Sequence, residues 1–331
     1  MKNLFNILTS HFKRMSNIAQ LAILLTVTIA IAAVFYAIPA ALTTQSSGVG
    51  LYNTGDTGNP DSGSGIGGGS IKGNCVAGKK SLPIYCVDIE SKTKKESPSS
   101  DNSGSQSNNG TSNSSDNQAD SGAAETSSKK YISISFDAAW GADDTIQILD
   151  ILDKYNIKTT FFMTGGWVES YPDMVKEIYS RGHDLGNHSQ NHKQMSKLSV
   201  EQQKEEIMKV SATVKELTGY DMFLFRPPYG DYNNTLINTV YSCNYYPIQW
   251  SVDSLDWKDY GVDSIIKTVT KHKKLANGAI VLMHNGAKFT AQALEDVIKG
   301  LQEQGYTIVP ISQLIIKENF HMNTDGTQVA D

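Results

Sequence analysis

Five stretches of the chain carry residues that could do chemistry: Asp137 in "ISFDAAWGADD", His188 and His192 in "NHSQNH", Arg226 in "RPPYG", Asp253, Asp256 and Trp257 in "WSVDSLDW", and His284 in "VLMHNG". Two histidines at i and i+4 share one face of a helical turn and make a ready pair for a divalent cation. Ser135, Phe136 and Asp137 look like the opening of a metal-site motif, but the next position, where a second carboxylate belongs, is Ala138. Taken singly, each residue has a plainer reading: Arg226 on a stiff surface loop, Asp253 and Asp256 as caps, Trp257 and His284 as core. Together they call for a scaffold that brings five loops to one place.

The pattern of elements supplies such a scaffold. "YISISF" alternates as a strand, and "DDTIQILDILDKY" has helical spacing with acidic residues at its start, where the helix dipole favours them. "KTTFFMT" and "HDLGNH" read as strands around a helix that opens at Pro172 and stops at Gly182. Ser199 and Gln202 form a capping box for a helix with Ile207, Val210, Val214 and Leu217 inside and Gly219 at its end. "DMFLF", "YYPIQW", "AIVLMH" and "YTIVPI" add four strands separated by helical segments. Strand–helix alternation of this kind implies a parallel α/β sheet with right-handed crossovers, closed into a barrel or left open as a doubly wound sheet. Either way, chemistry belongs at the C-terminal ends of the strands, and all five stretches lie there.

Composition bounds the rest. Of 331 residues, 39% are hydrophobic, low for the length, so part of the chain is not expected to pack. A net charge of −5 gives no case for nucleic acid as a partner. Residues 18–42 form an uncharged run of about 25 residues, longer as a helix than the roughly 30 Å bilayer core. Lys2, Lys13 and Arg14 precede it, which predicts a cytoplasmic segment 1–17, a membrane anchor 18–42 and an extracytoplasmic remainder. A cleaved secretory signal is the alternative, though the run is too long for one. Residues 43–73 and 93–128 read as flexible linkers, the second disordered. Between them, 74–92 reads as a short strand or hairpin segment in which Cys75 and Cys86 either pair or stay free. Cys243 reads as a buried, inert thiol. The main domain spans 129–318, followed by a tail, 319–331.

The series SFD, HSQNH, RPPYG, DSLDW and LMH resembles, in order and spacing, the five motifs of the polysaccharide deacetylases with a NodB-homology domain. The resemblance covers about residues 130–318. It implies a distorted (β/α)7 barrel, here preceded by a transmembrane helix and disordered linkers, and metal-dependent removal of N-acetyl groups from an amino-sugar polymer. The anchor and linker are similar to those of cell-wall-acting members from spore-forming bacteria, so peptidoglycan is the implied glycan. His188 and His192 would bind the metal, zinc being the commonest choice, with cobalt, manganese or nickel as alternatives. Asp137 would be the general base, held by Arg226, and His284 the general acid, its pKa raised by Asp253. The backbone N–H of Tyr229, stiffened by Pro228, would stabilise the oxyanion. Trp257 and Leu282 would wall a pocket for the acetyl methyl. At Ala138 the chain departs from the family, which has a metal-binding aspartate there. Water would fill that position, or Asp143 or Asp144 would fold back to it. A non-catalytic, wall-binding protein that keeps the fold is the competing expectation.

Overall fold

A computed structural model describes residues 71–96 and 129–331. The chain divides into two units, Met1–Gly63 and Ser64–Asp331, and all described residues belong to the second. The expected anchor at 18–42 and nearly all of both expected linkers lie outside the described residues. Among the described residues, no helix is long and apolar enough to cross a membrane.

The first described segment contains β1 (Lys72–Asn74), β2 (Val76–Ala77), β3 (Lys80–Ser81), β4 (Cys86–Val87) and α1 (Ile89–Glu96). The main domain follows as β5 (Lys130–Ala138), α2 (Thr145–Lys154), β6 (Thr160–Met163), α3 (Gly165–Ser170), α4 (Pro172–Ser180), β7 (Asp184–Asn187), α5 (Val200–Thr218), β8 (Leu224–Phe225) and α6 (Asn234–Ser242). It continues as β9 (Tyr246–Pro247), β10 (Val252–Asp253), α7 (Val262–Thr270), β11 (Ile280–Asn285), α8 (Thr290–Glu303), β12 (Tyr306–Ile308) and α9 (Ile311–Leu314), and ends with β13 (Glu318–Met322) and β14 (Thr327–Ala330).

The strands of the main sheet run in the order β10-β11-β5-β6-β7-β8-β9, all parallel, with β12 added against β5. Its two ends, β9 and β10, are parts of one run, residues 246–253. Ile248 N–H donates to Phe225 O on one side (2.8 Å), and Ser251 N–H to Ile280 O on the other (3.0 Å). The sheet is therefore curled on itself rather than open. In β5 both faces are buried: Ile132, Ile134, Phe136 and Ala138 join the apolar cluster that includes the helices, while Ser133, Ser135 and Asp137 alternate with them.

The expected helix signals hold. Pro172 opens α4, and Gly182 follows it at φ 79°. Ser199 and Gln202 form a complete capping box on α5, Gly219 ends it in the left-handed conformation, and Ile207, Val210 and Val214 are buried on its inner face.

Two boundary expectations need correction. The segment 74–92 is no island between linkers, because it closes the seam of the curled sheet. Ile84 N–H donates to Pro247 O (2.8 Å), Gln249 N–H to Ile84 O (2.8 Å) and Val87 N–H to Gly278 O (3.0 Å). Fully buried Ile84 and Val87 supply the apolar reason. A Cβ on Gly278 would fall 1.7 Å from Val87 O, so only glycine permits this approach. Residues after 318 are not a tail either. β13 and β14 form a hairpin inside a four-stranded sheet of order β1-β13-β14-β4, with Phe320 fully buried. Cys75, Cys86 and Cys243 are free thiols. The hairpin near Cys75 joins β2 to β3 without using Cys86.

Candidate functional site

Asp137 sits on β5 in register with His284 on β11, so the two begin as neighbours across one strand pair. Asp137 is buried, and its Oδ1 accepts from Arg226 Nη1 at 2.7 Å. Arg226, wholly buried just beyond β8, also donates to Ser135 Oγ (2.8 Å) and lies over the Phe162 ring (4.1 Å). Burial opposes ionisation of Asp137, but the charge and hydrogen bond of Arg226, with smaller help from the neighbouring imidazoles, outweigh it and hold the carboxyl below its ordinary value. Its second oxygen, Oδ2, points to His188 Nε2 at 3.5 Å.

His188 follows β7, and its Nδ1 lies 2.7 Å from the Arg226 carbonyl oxygen. A carbonyl can only accept, so Nδ1 carries the proton and Nε2 keeps its lone pair. Arg226 thus fixes the base candidate with its side chain and a metal-type histidine with its backbone. Burial pushes the His188 pKa down to about 4 and lowers that of His192, which keeps both rings neutral near pH 7. Their Nε2 atoms are 3.2 Å apart.

The histidines are not on a helical turn, as their spacing suggested. Ser189 and His192 have left-handed backbones (φ 67° and 52°), and side chains hold the loop in place. Ser189 N–H donates to Asn187 Oδ1 (2.9 Å) and His192 N–H to Ser189 Oγ (3.0 Å). Glu206, buried on α5, accepts from Asn191 N–H (2.7 Å), Asn191 Nδ2 (2.8 Å) and Lys193 Nζ (2.9 Å).

On the other side of the site, His284 pairs with Asp256. Nδ1 lies 2.7 Å from Asp256 Oδ1, and the His284 backbone N–H donates to Asp256 Oδ2 at 2.7 Å. Thr290 Oγ1 donates to Oδ2 as well (2.6 Å). Burial would lower the His284 pKa, but the hydrogen bond and charge of Asp256 win, with Asp137 and Asp253 adding smaller pulls, and the value is raised. Asp253 does raise the His284 pKa as expected, but only as a minor contributor: the hydrogen-bonded partner and the main pull is Asp256. The Asp253 carboxylate is used locally, accepting from Leu255 N–H at 2.9 Å.

The loop carboxylates do not reach the histidines. Asp143 is exposed, and Asp144 stands before α2 with Oδ1 accepting from Gly286 N–H at 2.9 Å. Ala138 belongs to the apolar cluster, on the face opposite Asp137. Tyr229 has φ 62° and packs its ring 4.5 Å from that of His192, next to buried Pro228. Leu282 is buried, but Trp257 is 51% exposed with Lys258 Nζ over its ring at 4.9 Å. A cavity of about 1100 Å³ lined by Ile89, Tyr131, Val309 and Leu314 holds none of these residues.

Two imidazoles bound to zinc at roughly 2.0–2.1 Å in tetrahedral geometry would place their nitrogens about 3.3 Å apart, so the His188–His192 spacing fits an ion. The set is short of protein donors, since among the described residues no group of three or more His, Cys, Asp or Glu is arranged to hold a metal. Sequence reasoning also missed the role of Ser135 as a support for Arg226, and it passed over Glu206 and Trp140, whose indole stacks on His284 with centroids 5.4 Å apart.

A curled parallel sheet with paired Asp–Arg and Asp–His groups beside two neutral histidines has the parts of a hydrolytic site: a candidate base, a candidate acid and a candidate metal pair. A family model described as polysaccharide deacetylase matches residues 124–248. The peptidoglycan-N-acetylglucosamine deacetylase of Bacillus cereus is 35% identical over 192 residues, covering 56% of this chain and 89% of that protein. The chain belongs to the polysaccharide deacetylase family. PgdA of Listeria monocytogenes, a peptidoglycan-N-acetylglucosamine deacetylase, is 37% identical over 56% of this chain, which spans 39% of PgdA's length. Among solved structures, a CE4 family pseudoenzyme from Bacillus anthracis matches with a TM-score of 0.55 at 32% identity, over 58% of this chain and 67% of that one. A mutant of a CE4 family pseudoenzyme with restored enzymatic activity also matches, at a TM-score of 0.55 and 33% identity, over 58% of this chain and 69% of that chain.

Proposed function

We propose that the protein is a metal-dependent deacetylase that hydrolyses N-acetyl groups on an extracytoplasmic amino-sugar polymer, with peptidoglycan as the leading substrate. The observation that carries this reading is the state of Asp137: one oxygen is held by Arg226 and the other faces His188. A carboxylate kept ionised with an open oxygen can take a proton from water as that water attacks the acetyl carbon. His284, favoured in its charged form by Asp256, can return a proton to the departing sugar amine. His188 and His192 would hold a divalent ion, zinc or else cobalt, manganese or nickel, which when bound polarises the carbonyl and acidifies a bound water. With Ala138 in the family's ligand position and Asp143 and Asp144 turned elsewhere, water completes the site in this proposal. Tyr229 N–H would donate to the developing oxyanion, and Leu282, Pro228 and Trp257 would line the acyl side.

Acetate release from N-acetylglucosamine oligomers and from peptidoglycan, with and without added Zn²⁺, Co²⁺ or Mn²⁺, tests the proposal. Release that requires metal is expected, and none with any metal overturns it. Zinc titration tests the ligands: binding unchanged in Asp143→Ala and in Asp144→Ala is expected, whereas its loss in either would replace water with a loop carboxylate.

A second reading, a wall-binding protein without turnover, is favoured by Ala138 itself and by the likeness to a protein described as a pseudoenzyme. Glycan retention with no acetate release under any metal would select it. Attachment to the cell membrane through residues 18–42, with the N-terminus inside, belongs to the same proposal. It rests on the uncharged run behind Lys13 and Arg14. Protease treatment of wall-stripped cells should free the barrel only if it lies outside.

A further inference from the structure

Trp140 is 46% exposed, on the loop that joins β5 to α2. An indole with no packing role would be expected to move freely there, yet the loop around it is clamped. Gly141 O accepts from Trp167 Nε1 (3.1 Å) and from Asn285 Nδ2 (2.9 Å), and Asp144 Oδ1 accepts from Gly286 N–H (2.9 Å). Gly286 has φ 85°, and a Cβ there would fall 3.0 Å from both Gly141 O and Trp140 Cδ1, so the two loops meet without room for a side chain. These contacts set the indole nearly parallel to the His284 ring and stacked on it, at 18° and 5.4 Å between centroids.

Other exposed aromatics of the functional loops are already engaged. Lys258 Nζ lies over the rings of Trp257 (4.9 Å) and Tyr260 (6.0 Å), and Tyr229 packs on His192. Trp140 alone of these touches His284 while keeping almost half its surface in water. An aromatic face is electron-rich and attracts a neighbouring imidazolium as well as polarised C–H groups. A pyranose ring offers such a face, with its axial C–H bonds on one side and hydroxyls round its edge.

We propose that Trp140 is the platform on which a hexosamine ring of the glycan stacks, setting its N-acetyl group beside His284. The identity of the sugar rests on the deacetylase reading, whereas the stacking does not. The test is calorimetric titration of the full-length, EDTA-treated protein with the N-acetylglucosamine tetramer, so that binding is read without turnover. Trp140→Ala should weaken binding at least about tenfold, a factor equivalent to about 1.4 kcal/mol. Trp140→Phe, which keeps a flat ring, should lose less than about threefold by the same conversion, and Met208→Ala on α5 should match wild type. The indole emission change on titration should shrink in Trp140→Phe, leaving only what Trp257 contributes, although binding persists, a readout that general destabilisation would not give. Wild-type affinity in Trp140→Ala, an unaltered emission change in Trp140→Phe, or no tetramer binding by wild type would each overturn the platform. Zinc-supported acetate release with unchanged KM in Trp140→Ala would sink the platform and leave the deacetylase standing. Trp140-dependent binding with no acetate release under any metal would do the reverse.

Discussion

Two buried aspartates, Asp137 and Asp256, each pair with a basic side chain at 2.7 Å, yet they are spent differently. Asp256 gives Oδ1 to His284 Nδ1 and Oδ2 to both the His284 backbone N–H and Thr290. Asp137 gives Oδ1 to Arg226 and leaves Oδ2 toward His188. A carboxylate whose oxygens are all taken up by protein donors can orient a neighbour but has little left with which to accept a substrate proton. One with an open oxygen can do chemistry. The number of free lone pairs, more than burial or partner charge, separates a candidate base from a positioning group.

The largest expected effect comes from breaking that contrast at its reactive end. Asp137→Asn should lower kcat/KM by about 10²- to 10⁴-fold, the range for general-base catalysis, as measured by acetate release at saturating zinc. Unchanged turnover would remove Asp137 from its role. Arg226→Met should unmask the stability term, because a buried carboxylate left without its partner costs roughly 3–5 kcal/mol. Urea unfolding of this variant should show the loss above the ordinary carboxylate range and its recovery as Asp137 becomes protonated.

Asp256→Asn sharpens the other half. With the pull of Asp256 gone, burial would lower the His284 pKa, and the alkaline limb of the rate profile should move to lower pH. A fall of one pH unit in that limb costs about tenfold at fixed alkaline pH. The sign for stability follows from the raised value: the Asp256–His284 pair contributes fully below the unfolded pKa of about 6.5 and loses its contribution as pH rises through the folded one. An alkaline limb that stays in place would return the role to Asp253. The smallest effect is expected at Glu206, which, like Asp256, has both oxygens occupied. Glu206→Gln should weaken zinc binding by less than roughly tenfold, the low end for a direct outer partner of a metal ligand, because Glu206 holds Asn191 and Lys193 of the loop and neither histidine ring; a competition assay with a chromophoric chelator measures it.

Much of this was legible in the residues, and the misses have physical causes. The strand-end positions of Asp137, His188, Arg226, Asp253 and His284 follow from chain order and strand periodicity alone. The alternation in β5 gave the strand, but its polar face turns into the curled sheet rather than to water, which is why Ser135 was passed over as a support for Arg226. The choice of Asp256 over Asp253 depends on a turn in which Leu255 has φ 56°, a conformation no sequence rule assigns to leucine. The histidine loop similarly depends on left-handed Ser189 and His192. The final hairpin was readable: Asp325-Gly326 between "ENFHM" and "TQVA" is a hairpin signal.

The clasp that Ile84 and Val87 make across the seam changes what it means to cut this chain. Residues 97–128 join a clasp that docks to the barrel with the barrel itself, so they form an internal bridge between two parts of one unit. A nick in that bridge leaves two fragments held by the clasp and by the shared sheet of β1, β4, β13 and β14. Protease acting there would produce a nicked but assembled protein, still tethered to whatever precedes residue 71. An expression fragment that starts at residue 129 would likewise lack its own seam and leave Ile248 and Phe320 with part of their cover missing.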